Sequence, residues 1–405
     1  MLDWKLLAGA AGIVAAVVFV IWLIFFCARR IREHLKGREL DAMEGHDFEY
    51  FCADLLEDHG FKSVEVTRGS GDYGVDVLAE KEGVTYAVQC KRYDGPVGVK
   101  AVQEAYAGRD YYDRMVGAVM TNQYFTEPAV IARHGREAQT EEILAGAALM
   151  RDAEDVFLPS YDGLRLHGQL LQQPGAKGTI LLFHGYRSSW IIDFSIVLPY
   201  YYSLGYNLLA VDERAHGQSE GVYITFGVHE RRDAATWAQY AAMHFGLDHP
   251  LFLGGLSMGA TTVLLASALE LPPSVRGVIA DCGFSSPEAI MRSVLRAHVK
   301  WLPAGPLLGL MDVCTRVFAG FSIKEASTLD AVSKTKRPIL FIHGTADTFV
   351  PCAMSQAAYD VCASEKQLIL VDGARHGYSY LVDRPRVQAA LAAFLEKYTS
   401  QEAIQ

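Results

Sequence analysis

Gly255-Leu256-Ser257-Met258-Gly259 is the stretch on which the reading of this chain turns. It fits G-x-S-x-G, follows the apolar run Leu251-Phe252-Leu253, and precedes the helix-like Ala260-Thr261-Thr262-Val263-Leu264-Leu265-Ala266. A strand that turns at once into a helix holds its serine in a tight, strained turn, and small residues two positions to either side keep the flanking backbones apart. The hydroxyl then stands alone above a sheet. The helix that starts there aims free N–H groups and the positive end of its dipole at any anion forming beside the serine.

Outward from this stretch, short β-rich runs occur at 156–158, 164–171, 179–183, 207–211, 251–253, 277–280, 339–342 and 367–371. Most of the later runs alternate with helical patterns, and near-continuous apolar strands of that kind predict an α/β domain with a doubly covered, mostly parallel sheet over residues 155–400. The two leading runs lack helices and are expected to form an antiparallel edge. Two further residues stand just after strand ends: Asp347 in His343-Gly344-Thr345-Ala346-Asp347, and His376 in Asp372-Gly373-Ala374-Arg375-His376-Gly377. A serine hydroxyl is a weak nucleophile at neutral pH. It needs an imidazole to take its proton, and the imidazole needs a buried carboxylate to hold its tautomer. Asp281 also ends a strand and is the alternative acid, although the glycine turn around Asp347 favours the latter.

The order Ser257, Asp347, His376 resembles that of the α/β-hydrolases. Within that superfamily His184-Gly185-Tyr186, the segment Asp212-Glu213-Arg214-Ala215-His216-Gly217-Gln218-Ser219, and the Asp347 turn are most similar to the prolyl-oligopeptidase-like and acyl-esterase branch. The resemblance implies serine-dependent hydrolysis of an ester, amide or thioester on a small-molecule or peptide substrate, with no cofactor. Oxyanion donors are expected at the backbone N–H groups of Met258 and Tyr186, each typically contributing ~3 kcal/mol to lowering the barrier. His184, His216 and His343 are read as structural, Asp212 and Arg214 as loop ties, and Glu230 to Asp233 as the solvated start of a helix. Residues 284–336 form an insertion with amphipathic pattern, broken at Trp301-Leu302-Pro303, expected as a helical lid that favours apolar acyl groups.

A second constellation lies at 40–138. A helix is predicted around Asp47-Phe48-Glu49, followed by a β-hairpin that carries Asp76 on one strand and Gln89-Cys90-Lys91 on the other. Residues two apart on a strand share a face, so Gln89 and Lys91 converge with Asp76. A carboxylate beside a lysine suits metal-assisted phosphodiester cleavage. Gly71-Asp72-Tyr73-Gly74-Val75-Asp76, Gln89-Cys90-Lys91-Arg92-Tyr93 and Val119-Met120-Thr121-Asn122-Gln123-Tyr124-Phe125-Thr126 resemble the Mrr-like endonucleases of the PD-(D/E)xK fold. That resemblance implies a DNA substrate, Mg²⁺ held by Asp76 with Gln89 in the second acidic position, Lys91 as the catalytic lysine, and Glu49 assisting from the helix. The alternative is a non-catalytic DNA-binding remnant, because no clear β-run follows within 135–153. Residues 139–154 read as a linker.

Residues 6–28 contain no charged side chain, long enough at about 1.5 Å per residue to cross a ~30 Å hydrocarbon core. Arg29, Arg30, Arg32, Lys36 and Arg38 follow, so an anchor in the cell inner membrane is expected over residues 1–30, with both later regions cytoplasmic. A signal peptide would carry its basic cluster ahead of the apolar run. The formal charge of −10 excludes a chain that is basic throughout, though not a local basic groove. Seven cysteines without C-x-x-C spacing read as reduced thiols and suggest no zinc site.

Overall fold

The computed structural model describes residues 43–67, 74–81, 84–93, 95–114, 116–121, 139–298 and 304–400. The expected anchor at 6–28, the Asn122 to Thr126 part of the endonuclease motif, and Trp301 to Pro303 lie outside the described residues. Among the described residues no helix is long and apolar enough to cross a membrane. The chain divides into two compact units, Met1–Thr140 and Glu141–Gln405.

In the first unit the helix Gly45–Asp58 precedes β1 (Lys62–Val66), β2 (Val77–Lys81), β3 (Val84–Lys91), the helix Val99–Tyr111 and β4 (Val116–Thr121). The strands lie in the order β1-β2-β3-β4; β2 and β3 form the expected antiparallel hairpin, and β4 pairs parallel to β3. The two-residue period of the hairpin divides its side chains between two faces. Val77, Ala79, Val88 and Cys90 meet Phe48, Cys52, Ala53 and Leu56 of the first helix in one apolar cluster. Gln89 and Lys91 therefore face the other way, where the helix Val99–Tyr111 crosses from β3 to β4.

The second unit contains β5 (Glu154–Pro159), β6 (Arg165–Leu171), β7 (Gly178–Phe183), β8 (Tyr206–Asp212), β9 (Leu251–Leu256), β10 (Val275–Asp281), β11 (Ile339–Gly344) and β12 (Lys366–Val371). Their spatial order is β12-β11-β10-β9-β7-β8-β6-β5. From β8 to β12 the neighbours are parallel, while β5 and β6 make the antiparallel edge that the missing helices predicted. Strands β7, β8 and β11 are buried along their whole length because helices cover both faces. On one face Trp237, Ala238, Val263 and Leu264 pack on Leu181, Leu209, Leu253 and Phe341. On the other, Phe394, Leu391 and Leu198 pack on Ile180, Leu208, Phe252 and Leu340. Each of these large side chains contributes roughly 1.5–3 kcal/mol by leaving water.

Two expectations are corrected here. The stretch read as a linker at 139–154 is an α-helix over Thr140–Leu149, and Ala147 and Met150 are buried against the second unit's core. Its small residues are the reason the pattern misleads. A Cβ on Gly146 would come within 1.7 Å of the Ser195 carbonyl oxygen, so this helix docks by backbone approach and needs no apolar stripe. The hydrolase-like unit thus starts ahead of residue 155. The second correction concerns Glu230 and Asp233, which are not solvated but 1% and 4% exposed. Glu230 accepts the N–H groups of Thr225 (2.7 Å) and Gly227 (2.8 Å), and Asp233 accepts two hydrogen bonds from the buried Arg214 at 2.6 and 2.7 Å. Acidic residues at a helix start also suit its dipole, so the sequence alone does not separate a solvated cap from a buried ion pair.

Candidate active site

Strand order reverses between β7 and β9: β8 lies beyond β7 on one side, and β10 to β12 lie beyond β9 on the other. The loops leaving the carboxyl ends of such a pair diverge to opposite faces and open a crevice. His184-Gly185-Tyr186 leaves β7 there, and Ser257 leaves β9.

Ser257 has φ 56° and ψ −111°, a conformation that costs a non-glycine residue of order 1–3 kcal/mol. Its own N–H donates to Asp281 O at 2.8 Å, and its carbonyl accepts from Thr261 N at 3.0 Å, which holds the turn. The motif's two glycines are steric requirements. A Cβ on Gly255 would lie 2.2 Å from Gly259 O, and one on Gly259 would lie 1.8 Å from Phe183 O.

The three widely separated residues meet. His376 Nε2 is 2.9 Å from Ser257 Oγ, and His376 Nδ1 is 2.6 Å from Asp347 Oδ2. The loops that carry the last two are laced together by Ala346 N to Ala374 O (3.0 Å) and Thr345 N to Val371 O (2.9 Å). Asp347 Oδ1 accepts the N–H groups of Phe349 and Val350, each at 2.9 Å, and Oδ2 also accepts His343 Nε2–H at 3.2 Å. Burial by itself would raise this carboxyl's pKa. The hydrogen bonds from His343 and His376 and the His376 charge outweigh it and hold the group well below the ordinary carboxylate range. Asp347 is thus an anion whose Oδ1 is held by two backbone N–H groups and whose Oδ2 faces the His376 and His343 rings. Asp281, the alternative acid, accepts instead from Ser379 Oγ at 3.1 Å, and burial pushes its pKa up to about 6.

Among the described residues, no protein acceptor takes the N–H of Met258 or Tyr186. Asp193, which the sequence did not single out, holds the second of these loops through Gly185 N–H at 2.7 Å and Ser188 Oγ at 2.8 Å. The Tyr186 ring stacks on Phe226, with centroids 5.2 Å apart. Phe226, Ile224, Phe284, Ile290, Val294, Val350 and Met354 surround Met258 in an apolar cluster, part of it supplied by the helix Pro287–His298 of the expected lid. Cys282 brings its sulfur within 4.8 Å of the ligating atoms of Asp347 and His376, a grouping that cysteine spacing could not reveal. Those two side chains are already engaged with each other and with Ser257, and burial pushes the thiol far from its thiolate form.

The other histidines brace loops. His184 Nε2 accepts Glu213 N–H at 3.2 Å, and His216 Nε2 accepts Arg187 N–H at 3.0 Å while its Nδ1–H donates to Arg214 O at 2.9 Å. Burial and the neighbouring His184 lower the His216 pKa to about 4. The folded protein therefore keeps this ring neutral while the unfolded chain protonates it near pH 6.5, so stability falls as pH drops from about 6.5 towards 4. At pH 4.5 the loss from this group approaches about 2–3 kcal/mol. Urea unfolding at pH 4.5 and 7.5 should show His216→Asn losing less stability between those pH values than the wild type by that amount; equal slopes would refute the assignment.

In the first unit Asp76 immediately precedes the pair Val77↔Val88, and its N–H donates to Val88 O at 2.9 Å. Asp76 Oδ2 accepts Cys90 N–H at 2.6 Å. Lys91 Nζ lies 3.5 Å from Glu104 Oε2, a residue of the helix Val99–Tyr111 that the hairpin motif does not include. Gln89 is 1% exposed, and its Oε1 has no hydrogen-bond partner. That orphaned oxygen, on the residue next to the Cys90 N–H that the Asp76 carboxylate accepts, fits a Mg²⁺ ion, a hard cation that takes oxygen ligands. Glu49 differs from expectation: its carboxylate pairs with His46 at 2.9 Å, one turn earlier on its own helix, and only its charge reaches the Cys90 thiol.

Comparisons with known proteins agree with both regions. A restriction endonuclease family model of Mrr type matches residues 40–151, a serine aminopeptidase (S33) model matches 174–305, and a serine hydrolase (FSH1) model matches 254–376. The uncharacterized protein YqkD of Bacillus subtilis is 28% identical over 242 residues, covering 59% of this chain and 78% of YqkD. Caffeoylshikimate esterase of Arabidopsis thaliana is 26% identical over 239 residues, covering 49% of this chain and 71% of that one. The esterase Pf2001 of Pyrococcus furiosus superposes with a TM-score of 0.51 at 22% identity, over 63% of this chain and 94% of its own, a likeness of fold. The chain therefore carries an Mrr-like restriction endonuclease region followed by an α/β-hydrolase domain of serine-hydrolase type.

Proposed function

We propose that the second unit hydrolyses a carboxylic ester with an apolar acyl group through an acyl-enzyme on Ser257. The single observation that carries this is the unbroken hydrogen-bond chain from Asp347 through His376 to Ser257 Oγ. In this reading Oγ attacks the carbonyl carbon as His376 Nε2 takes its proton, and Asp347 stabilises the imidazolium. The N–H groups of Met258 and Tyr186 receive the oxyanion. His376 then gives the proton to the leaving alkoxide, and water repeats the sequence to release the acid. The apolar cluster around Met258 supports an acyl group over a charged one, and the Arabidopsis relative's esterase name supports an ester over a peptide. A fluorophosphonate probe should label the wild type and not Ser257→Ala, with turnover of p-nitrophenyl esters; a wild type that does neither overturns the proposal.

A second reading is favoured by the orphaned Gln89 oxygen, one residue from the Cys90 N–H that the Asp76 carboxylate accepts. The first unit cleaves DNA, with Mg²⁺ held by Asp76 and Gln89 and the reacting groups positioned by Lys91. When bound, the ion polarises the phosphate and acidifies a water ligand. Metal-dependent plasmid nicking should be present in the wild type and absent in Asp76→Ala; a wild type that binds DNA without cutting it selects the non-catalytic alternative. The uncharged run at 6–28 supports anchorage of both units to the inner membrane from its cytoplasmic side. Recovery of the protein in the soluble fraction, unchanged by deleting residues 1–30, would contradict that.

A further inference from the structure

Gln89 poses a question that its motif leaves open. An amide at this position is neutral, so it gives a dication less than a carboxylate would, and its oxygen and nitrogen can exchange places by a half-turn of the side chain. Only one of the two orientations offers a metal ligand.

The surroundings select one. The Gln89 side chain hydrogen-bonds the Glu104 carboxylate, and only its amide nitrogen can donate there. The reverse orientation would set the amide oxygen against that carboxylate, two acceptors face to face. With the nitrogen turned to Glu104, Oε1 is turned away from it, buried and without a protein donor. Asp76 immediately precedes β2, and its carboxylate accepts the N–H of Cys90, the residue after Gln89, at 2.6 Å. Gly74 completes the cradle. Its φ is +78°, and a Cβ there would stand 3.0 Å from Gln89 Nε2 and 3.0 Å from Glu104 Cβ, so the chain passes this point only without a side chain. Glu104 also accepts the Lys91 ammonium at 3.5 Å. One carboxylate thus contacts both functional residues of β3.

We propose that Glu104 is the positioning residue of a divalent-cation site in the first unit: its carboxylate fixes the Gln89 amide so that Oε1 faces a cation shared with Asp76, and holds Lys91 beside it. This rests on the endonuclease reading and adds to it a residue from a different element. It also accounts for glutamine at position 89, since a second carboxylate there would face Glu104 across the same short distance.

Binding of Mn²⁺ to the full-length protein, followed by electron paramagnetic resonance, tests this without requiring activity. Wild type should bind the ion, and Asp76→Ala should lose it. Glu104→Ala should bind roughly 10- to 100-fold more weakly, the usual effect of removing a group that orients a metal ligand. Glu104→Gln should recover most of the affinity, because its amide oxygen can still accept from Gln89. If Glu104→Ala fails to fold, Glu104→Met, which fills the space without an acceptor, takes its place. Wild-type affinity in Glu104→Ala together with loss in Asp76→Ala overturns the positioning role and leaves the endonuclease reading standing. Equal weakening in Glu104→Ala and Glu104→Gln also overturns it, since charge alone would then explain the effect. A wild type that binds no Mn²⁺ overturns both.

Discussion

Ser257→Ala is expected to lower kcat for ester hydrolysis by about a millionfold, the scale seen when an activated serine nucleophile is removed. The substitution deletes one oxygen and leaves Cβ, and with it the turn at φ 56°, so the fold should be retained. It removes the atom that forms the covalent bond and leaves His376 Nε2 without a proton to accept. His376→Ala should be as damaging. The double variant should be no slower than either single one, because two members of one proton-transfer chain are lost as a unit. Single-turnover hydrolysis with fluorophosphonate labelling measures this. A Ser257→Ala protein within tenfold of wild type would show that the nucleophile lies elsewhere.

Asp347→Asn should reduce kcat by roughly 10⁴-fold while leaving KM and the folded structure nearly unchanged. The reason lies in the four donors around this side chain. Phe349 and Val350 N–H both point at Oδ1, so an asparagine would keep its carbonyl oxygen there and turn its NH₂ towards His376 and His343. His343 Nε2–H also donates to Val350 O at 2.9 Å, and its Nδ1 lies 2.7 Å from Ser355 Oγ. His376 can then accept only through Nδ1. Its proton moves to Nε2, aimed at Ser257, and the imidazole can no longer take the serine's proton. A loss below tenfold, or equal losses in kcat and stability, would contradict this account. The same argument sets Asp347 apart from Asp281, whose carboxyl pairs with Ser379 and not with the histidine.

Part of the site was legible because its chemistry is local. Ser257 is marked by glycines that the strand-to-helix turn requires sterically, and Asp76, Gln89 and Lys91 by a two-residue period on one hairpin. Glu49 is less legible for the opposite reason: a motif names a residue type but not its rotamer, and here the carboxylate pairs with His46 at 2.9 Å. Glu104 and Asp193 carry no such mark: each stands on a helix, and a lone acidic residue on a helix reads as solvated surface. Glu230 and Asp233 were read as surface on the same grounds, and their burial depends on Arg214 arriving from another loop.

What the amino-acid order determined on its own was the period of each element, the α/β class of the second unit, and the residue types at strand ends. These follow from backbone sterics and apolar patterning over a few neighbouring positions. Tertiary structure alone decided which of two aspartates reaches His376, which way the Gln89 amide is turned, and that the helix Thr140–Leu149 docks on the core. Each of those outcomes rests on hydrogen-bond geometry or backbone approach between segments far apart in the chain, to which no local period responds.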